Sequence, residues 1–435
     1  MAERFDAVVV GAGPAGSAAA LVLARARKSV CLLERGPFPG SKNLFGGVIY
    51  PRVLDGLLPG WRATMPVERW VTRRTTMALT KTQAVSVDFR STAWGSAPYN
   101  GATALRPKFD AWLAAEAEAA GASLLCSTTA TGLLTDERGG AVRGVRVDRP
   151  GGDVEARVVI ACDGVNALLA REAGCAGKPD PGNFTLGVKE VLAMDEAEID
   201  RRFALAPGEG ADLEILGCTG GVPGGGFLYT NRDSLAVGLV LRLPELAASG
   251  RRPEEILADL KEHPAIRPLH AGAELVEYGA HLIPEAGWDM MPKLATGGMM
   301  IAGDAAAMCL ATGIWLEGVN FAIGSGAAAG EAAVEALSAG DTSEAGLAGY
   351  RRRLEASFVL ADHKKFRRAH RLVLSERVQR RYPDFACNLV EQMFTVDNAE
   401  PRAGLMRLAR RQARHSGLRL RDLARDAADA LRSFG

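Results

Sequence analysis

Three glycines near the start of the chain, Gly11, Gly13 and Gly16, have the spacing of a turn that can hold a pyrophosphate. The first glycine allows a tight turn, the second lets the backbone approach the phosphates, and the third lets the next helix pack closely on its strand. Glu34 follows at a distance where its carboxylate can accept hydrogen bonds from both hydroxyls of a ribose. Because this carboxylate repels a 2′-phosphate, the pattern favours a dinucleotide that lacks one.

The elements that position these residues are a strand, a helix and a second strand. The apolar run at residues 7–10 predicts the first strand, residues 14–26 predict the helix, and "KSVCLLE" predicts the second strand. Pro14 and Ala15 open the helix, whose N-terminal N–H groups can face phosphate oxygens. A strand–turn–helix–strand order that ends at an acid is far more specific than the glycines alone.

Two later strands also end in a turn that contains an acid and a glycine. One is predicted to end at Asp163 and Gly164, and the other at Gly303 and Asp304, with a long helix of small residues from about Gly318. Such turns are typical of the carboxyl edge of a sheet that meets a ligand. FAD is long enough to need several distant segments and NAD needs fewer, so the set favours FAD.

The composition excludes several classes of function. The chain has 435 residues, enough for two or three domains, and a net charge of +1, which gives no reason to expect nucleic acid. Its seven cysteines are scattered singly, which favours a reduced, cytoplasmic protein without an iron–sulfur cluster of its own. Because the first strand begins at about residue 5 and no run of about 18 apolar residues occurs, we expect neither a signal peptide nor a membrane span.

Four ranges follow from the changes in pattern along the chain. We predict a first part of the FAD-binding domain at 1–183, an inserted antiparallel sheet on the substrate or quinone side at 184–294, a closing part of the FAD-binding domain at 295–349, and a basic helical region at 350–435. In the basic region, Leu405 and Leu408 lie at helical spacing, with arginines between and after them. This pattern predicts amphipathic helices in that region. That basic face can be plain solvated surface, a dock for acidic proteins or a contact with an anionic membrane.

Several longer segments resemble a known family. The chain resembles the superfamily of p-hydroxybenzoate hydroxylase and geranylgeranyl reductases, and within it the electron-transfer-flavoprotein:quinone oxidoreductase family, which includes the flavoprotein subunits of Fix-type electron-transfer complexes. The resemblance implies an α/β, Rossmann-like FAD-binding fold with an inserted antiparallel sheet and a helical C-terminal tail. The segments that carry it are "RGPFPGSKNLFGGVIYP", "LRPKFDAWLAAEAEAAGA", "GVKEV", "GGGFLYTNRDSLAVGLVL", "AHLIPEAG" and "IAGDAAAMCL".

The resemblance also implies roles for individual residues. Asp304 is similar to the acid that binds the FAD ribityl chain, and Arg106 is similar to an arginine near the phosphates or ribityl chain. Ser41 and its neighbours resemble the loop beside the isoalloxazine ring. No catalytic residue and no metal ligand is assigned. The candidate cofactor-binding residues are Gly11, Gly13, Pro14, Ala15, Gly16, Glu34, Arg35, Ser41, Lys42, Gly46, Gly47, Arg106, Asp163, Gly164, Gly303, Asp304, Gly318 and Asn320.

The expected function is that of an electron-transfer subunit. No second strand, glycine turn and helix occurs for NAD(P)H, and the cysteine-rich segment of larger quinone oxidoreductases is absent from the sequence. The resemblance therefore implies that electrons come from electron-transfer flavoprotein subunits and pass to quinone with a separate ferredoxin-like iron–sulfur subunit. The pathway stays open between nitrogen fixation, carnitine metabolism and others. The expected location is the cytoplasm, with peripheral contact to the inner face of the cytoplasmic membrane left open.

An alternative function is a stand-alone prenyl reductase of the geranylgeranyl type or an aromatic hydroxylase. Aromatic hydroxylases usually continue the Gly303–Asp304 turn with a histidine and a proline, where this chain reads "GDAAAMCL". Prenyl reductases of the archaeal type tend to place a cysteine where this chain reads "NLFGG". Both departures favour the electron-transfer subunit.

Overall fold

A computed structural model describes residues 3–43, 46–136, 140–149, 152–313, 316–398 and 401–434. Backbone contacts divide the chain into two compact units. The first unit comprises residues 1–67, 104–183 and 282–367, and the second comprises 68–103, 184–281 and 368–435. The four ranges predicted from the sequence describe a division by role and stay a prediction; both divisions break the chain between Asn183 and Phe184.

The secondary structure of the described residues alternates between strands and helices. The strands are β1 (Glu3–Val10), β2 (Val30–Leu33), β3 (Gly46–Ile49), β4 (Arg69–Leu79), β5 (Ala84–Arg90), β6 (Ala102–Leu105), β7 (Ser123–Leu125), β8 (Ala130–Thr135), β9 (Val142–Val147), β10 (Val154–Ala161), β11 (Thr185–Ala193), β12 (Glu209–Leu216), β13 (Gly224–Thr230), β14 (Ser234–Arg242), β15 (Glu274–Ile283), β16 (Ala295–Thr296), β17 (Met299–Ile301), β18 (Leu310–Ala311) and β19 (Leu316–Glu317). The α-helices are α1 (Pro14–Arg25), α2 (Trp61–Thr64), α3 (Arg106–Ala119), α4 (Leu168–Glu172), α5 (Glu196–Phe203), α6 (Leu243–Ser249), α7 (Pro253–Glu262), α8 (Arg267–His270), α9 (Val319–Ala339), α10 (Gly349–Glu355), α11 (Phe358–Lys365), α12 (Ala369–Val373), α13 (Tyr382–Phe394), α14 (Leu405–His415) and α15 (Leu420–Phe434). Within the described ranges, no helix is long and apolar enough to cross a membrane.

The first unit is built on a largely parallel sheet. Its strands run in the order β16, β17, β10, β1, β2 and β7, and the pairs from β17 to β7 are parallel. The central strands β1 and β10 both end in apolar runs, as is typical of a parallel sheet whose two faces are covered by helices. Since β1, β10 and β17 are neighbours, their carboxyl ends place Gly11, Asp163 and Gly303 at one edge.

Helices α1 and α9 of the first unit pack through glycines. A Cβ atom added to Gly326 would lie 2.0 Å from the carbonyl oxygen of Ala15, and one added to Gly330 would lie 2.8 Å from that of Ala19. Both distances are too short for a real side chain, so the helix backbones approach each other only because α9 has glycines at these positions. This contact fixes the N-terminal end of α1.

The sheet of the second unit includes strands from outside the predicted insertion. The order is β15, β11, β14, β13, β12, β4 and β6, with β5 paired to β4. Strands β11 to β14 come from the predicted insertion, whereas β4 and β5 come from residues that the sequence interpretation placed in the first domain. Strand β12 pairs with β4 in parallel, and β12 to β14 and β11 form antiparallel pairs. A long connection separates β4 from β12, which is why a parallel pair is possible.

The basic C-terminal region is helical, as predicted, and its helices pack within the second unit. The side chain of Gln83, beside β5, donates to Glu391 of α13 at 2.7 Å. Arg377 forms an ion pair with Asp426 of α15, and the hydroxyl of Tyr382 donates to the same carboxylate at 2.5 Å. Charge-assisted bonds to one partly buried acid tie α15 to α13.

We expect Gly326→Ala to destabilise the protein. Inside an isolated helix, replacing glycine by alanine raises stability. A loss of stability in this variant would therefore come from the clash with Ala15. Overpacking of this kind costs about 1–3 kcal/mol, and thermal unfolding should show a lower midpoint. The matched control is Gly56→Ala, an exposed position with nothing within 4 Å of the added Cβ. Equal midpoints for both variants would contradict the packing argument.

Candidate functional site

In the glycine turn of the first unit, backbone atoms pack directly against other backbone atoms. Gly11 has a φ of +100°, and a Cβ on it would lie 2.3 Å from the carbonyl oxygen of Cys162. A Cβ on Gly16 would lie 1.8 Å from the carbonyl oxygen of Gly11. Gly13 is the N-cap of α1, Pro14 follows it, and no side chain caps the helix. The turn therefore leaves backbone N–H groups at the start of α1 for an anion.

Glu34 joins the glycine turn to the end of β2. Its carboxylate accepts hydrogen bonds from the backbone N–H of Ala12 at 3.1 Å and from that of Gly36 at 2.7 Å. The side chain is buried, and each carboxylate oxygen has a further lone pair. Glu34 thus holds the turn and keeps lone pairs that could accept hydrogen bonds from ribose hydroxyls, the role predicted for it.

Arg106 reaches the glycine turn from the start of α3. Its guanidinium donates to both carboxylate oxygens of Asp110 at 2.6 and 2.7 Å, and one of its nitrogens lies 3.8 Å from the position of a Cβ on Gly13. Burial alone would lower the pKa of Arg106, but the charges of Asp110 and Asp304 raise it. The arginine therefore stays a cation, oriented by Asp110, beside the N-terminus of α1.

The two acid–glycine turns lie at the same edge of the sheet. Asp163 accepts from the N–H of Leu169 at 3.1 Å, and its other carboxylate oxygen is buried with no hydrogen-bond partner among the described residues. Burial raises the pKa of Asp163 against these backbone donors. Gly303 has a φ of +65°, and a Cβ on it would lie 2.9 Å from that of Ala15. Asp304 is close enough to Arg106 for its charge to raise the pKa of that arginine.

The remaining predicted residues lie around this edge or on the surface of the first unit. Ser41 lies beside Glu34, because a Cβ on Gly36 would be 2.1 Å from its hydroxyl oxygen, and that oxygen is buried without a partner in the described ranges. Lys42 and Arg35 are exposed. Gly46 and Gly47 open β3, whereas the preceding leucine and phenylalanine of "NLFGG" lie outside the described residues.

Helix α9 begins beside the second acid–glycine turn. Gly318 is its N-cap and no side chain caps this helix, while the amide of Asn320 donates to Glu317. Ser325 accepts a hydrogen bond from the backbone N–H of Gly303 at 3.0 Å, so α9 holds that turn directly. The sequence interpretation missed two residues that position the site, Ser325 and Asp110. For Ser325, the available signal was a single serine among alanines and glycines in "GSGAAAG".

These features fit a dinucleotide cofactor. The uncapped N-terminus of α1 and the partly buried cation of Arg106 are suited to a diphosphate, and Glu34 is suited to a ribose. The buried oxygens of Ser41 and Asp163 have no partner within the described part of the chain, and a polar ligand would satisfy them. No group of three or more His, Cys, Asp or Glu side chains among those residues could hold a metal ion.

We expect Glu34→Ala and Asp304→Ala each to weaken FAD binding by roughly tenfold to a hundredfold, since each removes charge-assisted hydrogen bonds worth about 1.5–3 kcal/mol. Flavin fluorescence during titration of the unliganded protein measures the affinity. The control is Glu118→Ala, an exposed carboxylate on α3 of the same unit. Unchanged affinity in both site variants would show that the cofactor binds elsewhere.

Comparison with known proteins places the chain in a family. The family of the FAD binding domain matches residues 4–200. The chain is 40% identical over 418 residues to the probable electron transfer flavoprotein-quinone oxidoreductase YdiS of Escherichia coli K12, a match that covers 96% of each chain. It is 38% identical over 399 residues to FixC of Bradyrhizobium diazoefficiens, with 91% of each chain covered.

Solved structures agree on the fold. A geranylgeranyl bacteriochlorophyll reductase-like protein from Thermoplasma acidophilum matches with a TM-score of 0.72 and 20% identity, over 99% of this chain and 100% of that one. This likeness and the domain match confirm the predicted α/β FAD-binding fold and its cofactor, FAD. With 40% identity across nearly the whole of both chains, this FAD-dependent flavoprotein oxidoreductase belongs to the family of FixC and the electron transfer flavoprotein-quinone oxidoreductases.

Proposed function

We propose that this flavoprotein accepts electrons from an electron-transfer flavoprotein and passes them to a quinone, together with a separate ferredoxin-like iron–sulfur subunit. The observation that carries the proposal is the 40% identity, over 96% of the chain, to YdiS. The name of that protein includes both an electron transfer flavoprotein and a quinone. A flavin suits this position because, when bound, it exchanges electrons singly or in pairs.

The first unit supports the proposal because its residues can stabilise negative charge on a bound cofactor. The N-terminal end of α9, a helix of 21 residues, has no side-chain cap and carries a partial positive charge. Such an end favours negative charge on the cofactor ring, while Arg106 and the N-terminus of α1 bind the diphosphate. In this proposal the residues of the chain bind and polarise the cofactor, and no side chain forms a covalent bond with a substrate.

The proposal of a separate iron–sulfur subunit draws support from the thiols of this chain. Cluster ligands are thiolates, and a thiol whose pKa is raised by burial resists becoming one. Burial raises the pKa of Cys218 to about 12, and it raises the pKa of Cys126, Cys162, Cys175 and Cys309 as well. These cysteines are more suited to packing than to redox chemistry.

The alternative, a stand-alone prenyl reductase or aromatic hydroxylase, has weaker support. The likeness to the geranylgeranyl reductase-like structure rests on 20% identity and concerns the fold alone. Relatives with about twice that identity include FixC proteins and YdiS.

We also propose that α14 and the end of α13 form an association surface, called here the tail surface. Its exposed cations repeat at helical spacing along one side of α14. Large apolar side chains lie beside them: Phe394 is 77% exposed and Met406 is 66% exposed. Basic and apolar side chains together suit an anionic membrane at its cytoplasmic face or an acidic partner protein. The tail surface comprises Phe394, Leu405, Met406, Arg407, Arg410, Arg411 and Arg414.

Turnover of the purified holoprotein tests the electron route. Reduced electron-transfer flavoprotein and a short-chain quinone should give repeated reduction and oxidation of the flavin absorbance in stopped flow, and the ferredoxin-like partner should change the rate or the products. NADH or NADPH alone should react slowly, because collision replaces positioning, which is worth several kcal/mol of barrier. Rapid bleaching by NADPH that a prenyl or aromatic compound accelerates would favour the alternative.

Charge reversal tests the tail surface. Changing Arg410, Arg411 and Arg414 to glutamate should leave flavin content intact but weaken binding to anionic vesicles, or capture of partner subunits, in a salt-sensitive way. Because Arg411 also donates to Gln392, the double variant at Arg410 and Arg414 keeps that contact. The control reverses three cations of the same unit away from α14, namely Arg201, Arg251 and Arg252. If both kinds of association survive unchanged, the surface is plain solvated protein.

A further inference from the structure

The N-terminal end of α9 carries a carboxylate in addition to its uncapped backbone. Glu317 directly precedes Gly318, the N-cap of this helix. Strands β18 and β19 pair so that Glu317 lies opposite Leu310. The side-chain amide of Asn320, in the first turn of α9, donates to an oxygen of the Glu317 carboxylate. Backbone pairing and this hydrogen bond therefore hold a negative charge at the end of the helix.

This end of α9 lies beside the loop that follows the second acid–glycine turn. A Cβ added to Gly318 would lie 4.0 Å from the Sγ of Cys309, which comes shortly after Asp304 in the sequence. Ser325, further along α9, binds the backbone N–H of Gly303 in the same turn. All of these residues belong to the first unit. The carboxylate of Glu317 thus stands at the edge of the sheet where the cofactor-binding residues meet.

The thiol of Cys309 indicates the sign of the electrostatic potential at this edge. Burial raises the pKa of Cys309 well above its ordinary value. The charges of three acids, Asp304, Glu285 and Glu317, raise it further. Neighbouring acids oppose the ionisation of a thiol because ionisation makes the sulfur negative. The same charges oppose a gain of negative charge by any other group nearby.

Two basic side chains of the first unit offset these acids only in part. The charge of Arg106 is shared, because both Asp110 and Asp304 raise the pKa of this arginine. His363 of α11 packs its ring edge-on against Phe321 of α9, with the centroids 4.6 Å apart. Burial lowers the pKa of His363, so its ring is neutral at neutral pH. His363 therefore adds no positive charge beside α9.

We propose that Glu317 lowers the reduction potential of the bound flavin and so makes the reduced flavin a stronger electron donor. The inference rests on the function proposed above, in which the flavin ring lies at the N-terminal end of α9. A helix end carries about half a positive charge, whereas a carboxylate carries a full negative charge. The two act on the ring in opposite directions, and the carboxylate has the larger effect. Reduction adds electrons to the ring, and a nearby negative charge opposes that gain.

The cofactor on which this charge acts is supported by residues other than the acids around Cys309. The buried oxygens of Ser41 and Asp163 have no partner in the described ranges, and a polar ligand would satisfy them. The match to the FAD binding domain is independent of both features. Glu317 is thus assigned a role toward a cofactor that other observations already require.

Spectroelectrochemical titration of the holoprotein with redox dyes tests the proposal without turnover. In Glu317→Gln the two-electron midpoint potential should rise by ~30 mV, which corresponds to a change of about tenfold in the equilibrium between oxidised and reduced flavin. Glutamine still offers an oxygen to the amide of Asn320, so this variant removes the charge and keeps the hydrogen bond. Glu317→Asp keeps the charge and should keep the potential. The control Glu118→Gln removes an exposed charge on α3 of the same unit and should also leave the potential unchanged.

A second variant guards against a folding defect. Glu317→Ala removes the same charge and should show the same rise, so the test stands even where one variant binds flavin poorly. An unchanged or lower potential in the variants without the charge would overturn the proposal. An equal rise in Glu317→Asp would also overturn it, because the effect would then come from shape and not from charge. Since neither electron-transfer flavoprotein nor quinone takes part, failure of the proposed electron route would leave this titration unaffected, and an unchanged potential would leave that route standing.

Discussion

The close approach of backbone to backbone around the glycine turn is the constraint on which the first unit depends. The turn contacts the end of β10 through Gly11, its own helix through Gly16 and α9 through Ala15, each at a distance that excludes a Cβ atom. Because two segments far from the turn in sequence, the end of β10 and α9, converge on it, the N-terminal N–H groups of α1 have a fixed direction. Fixed dipoles stabilise an anion more than mobile ones, since they need no reorganisation when the ligand binds.

The charged residues around that turn are positioned by partners, and this separates them from ordinary surface ion pairs. Arg106 is held by both oxygens of Asp110, and Asp110 is fully buried. A buried ion pair of this kind adds little stability by itself, because desolvation offsets the attraction. Its value is geometric: the guanidinium stays planar, charged and aimed at the glycine turn, where a flexible lysine would not.

Local sequence patterns were sufficient to predict the strand ends of the first unit, but they did not predict the strand pairing of the second. The glycine spacing, the apolar strands and the acid–glycine turns are short-range patterns, and they predicted the strand ends at Asp163 and Gly303. The membership of β4 and β5 in the second sheet depends on pairing over more than a hundred residues, which no local pattern encodes. For the same reason no local pattern predicts the register that pairs Arg74 with Asp212. The helical tail was predictable because amphipathic spacing is local, although Leu405, expected on the apolar side of α14, is 54% exposed.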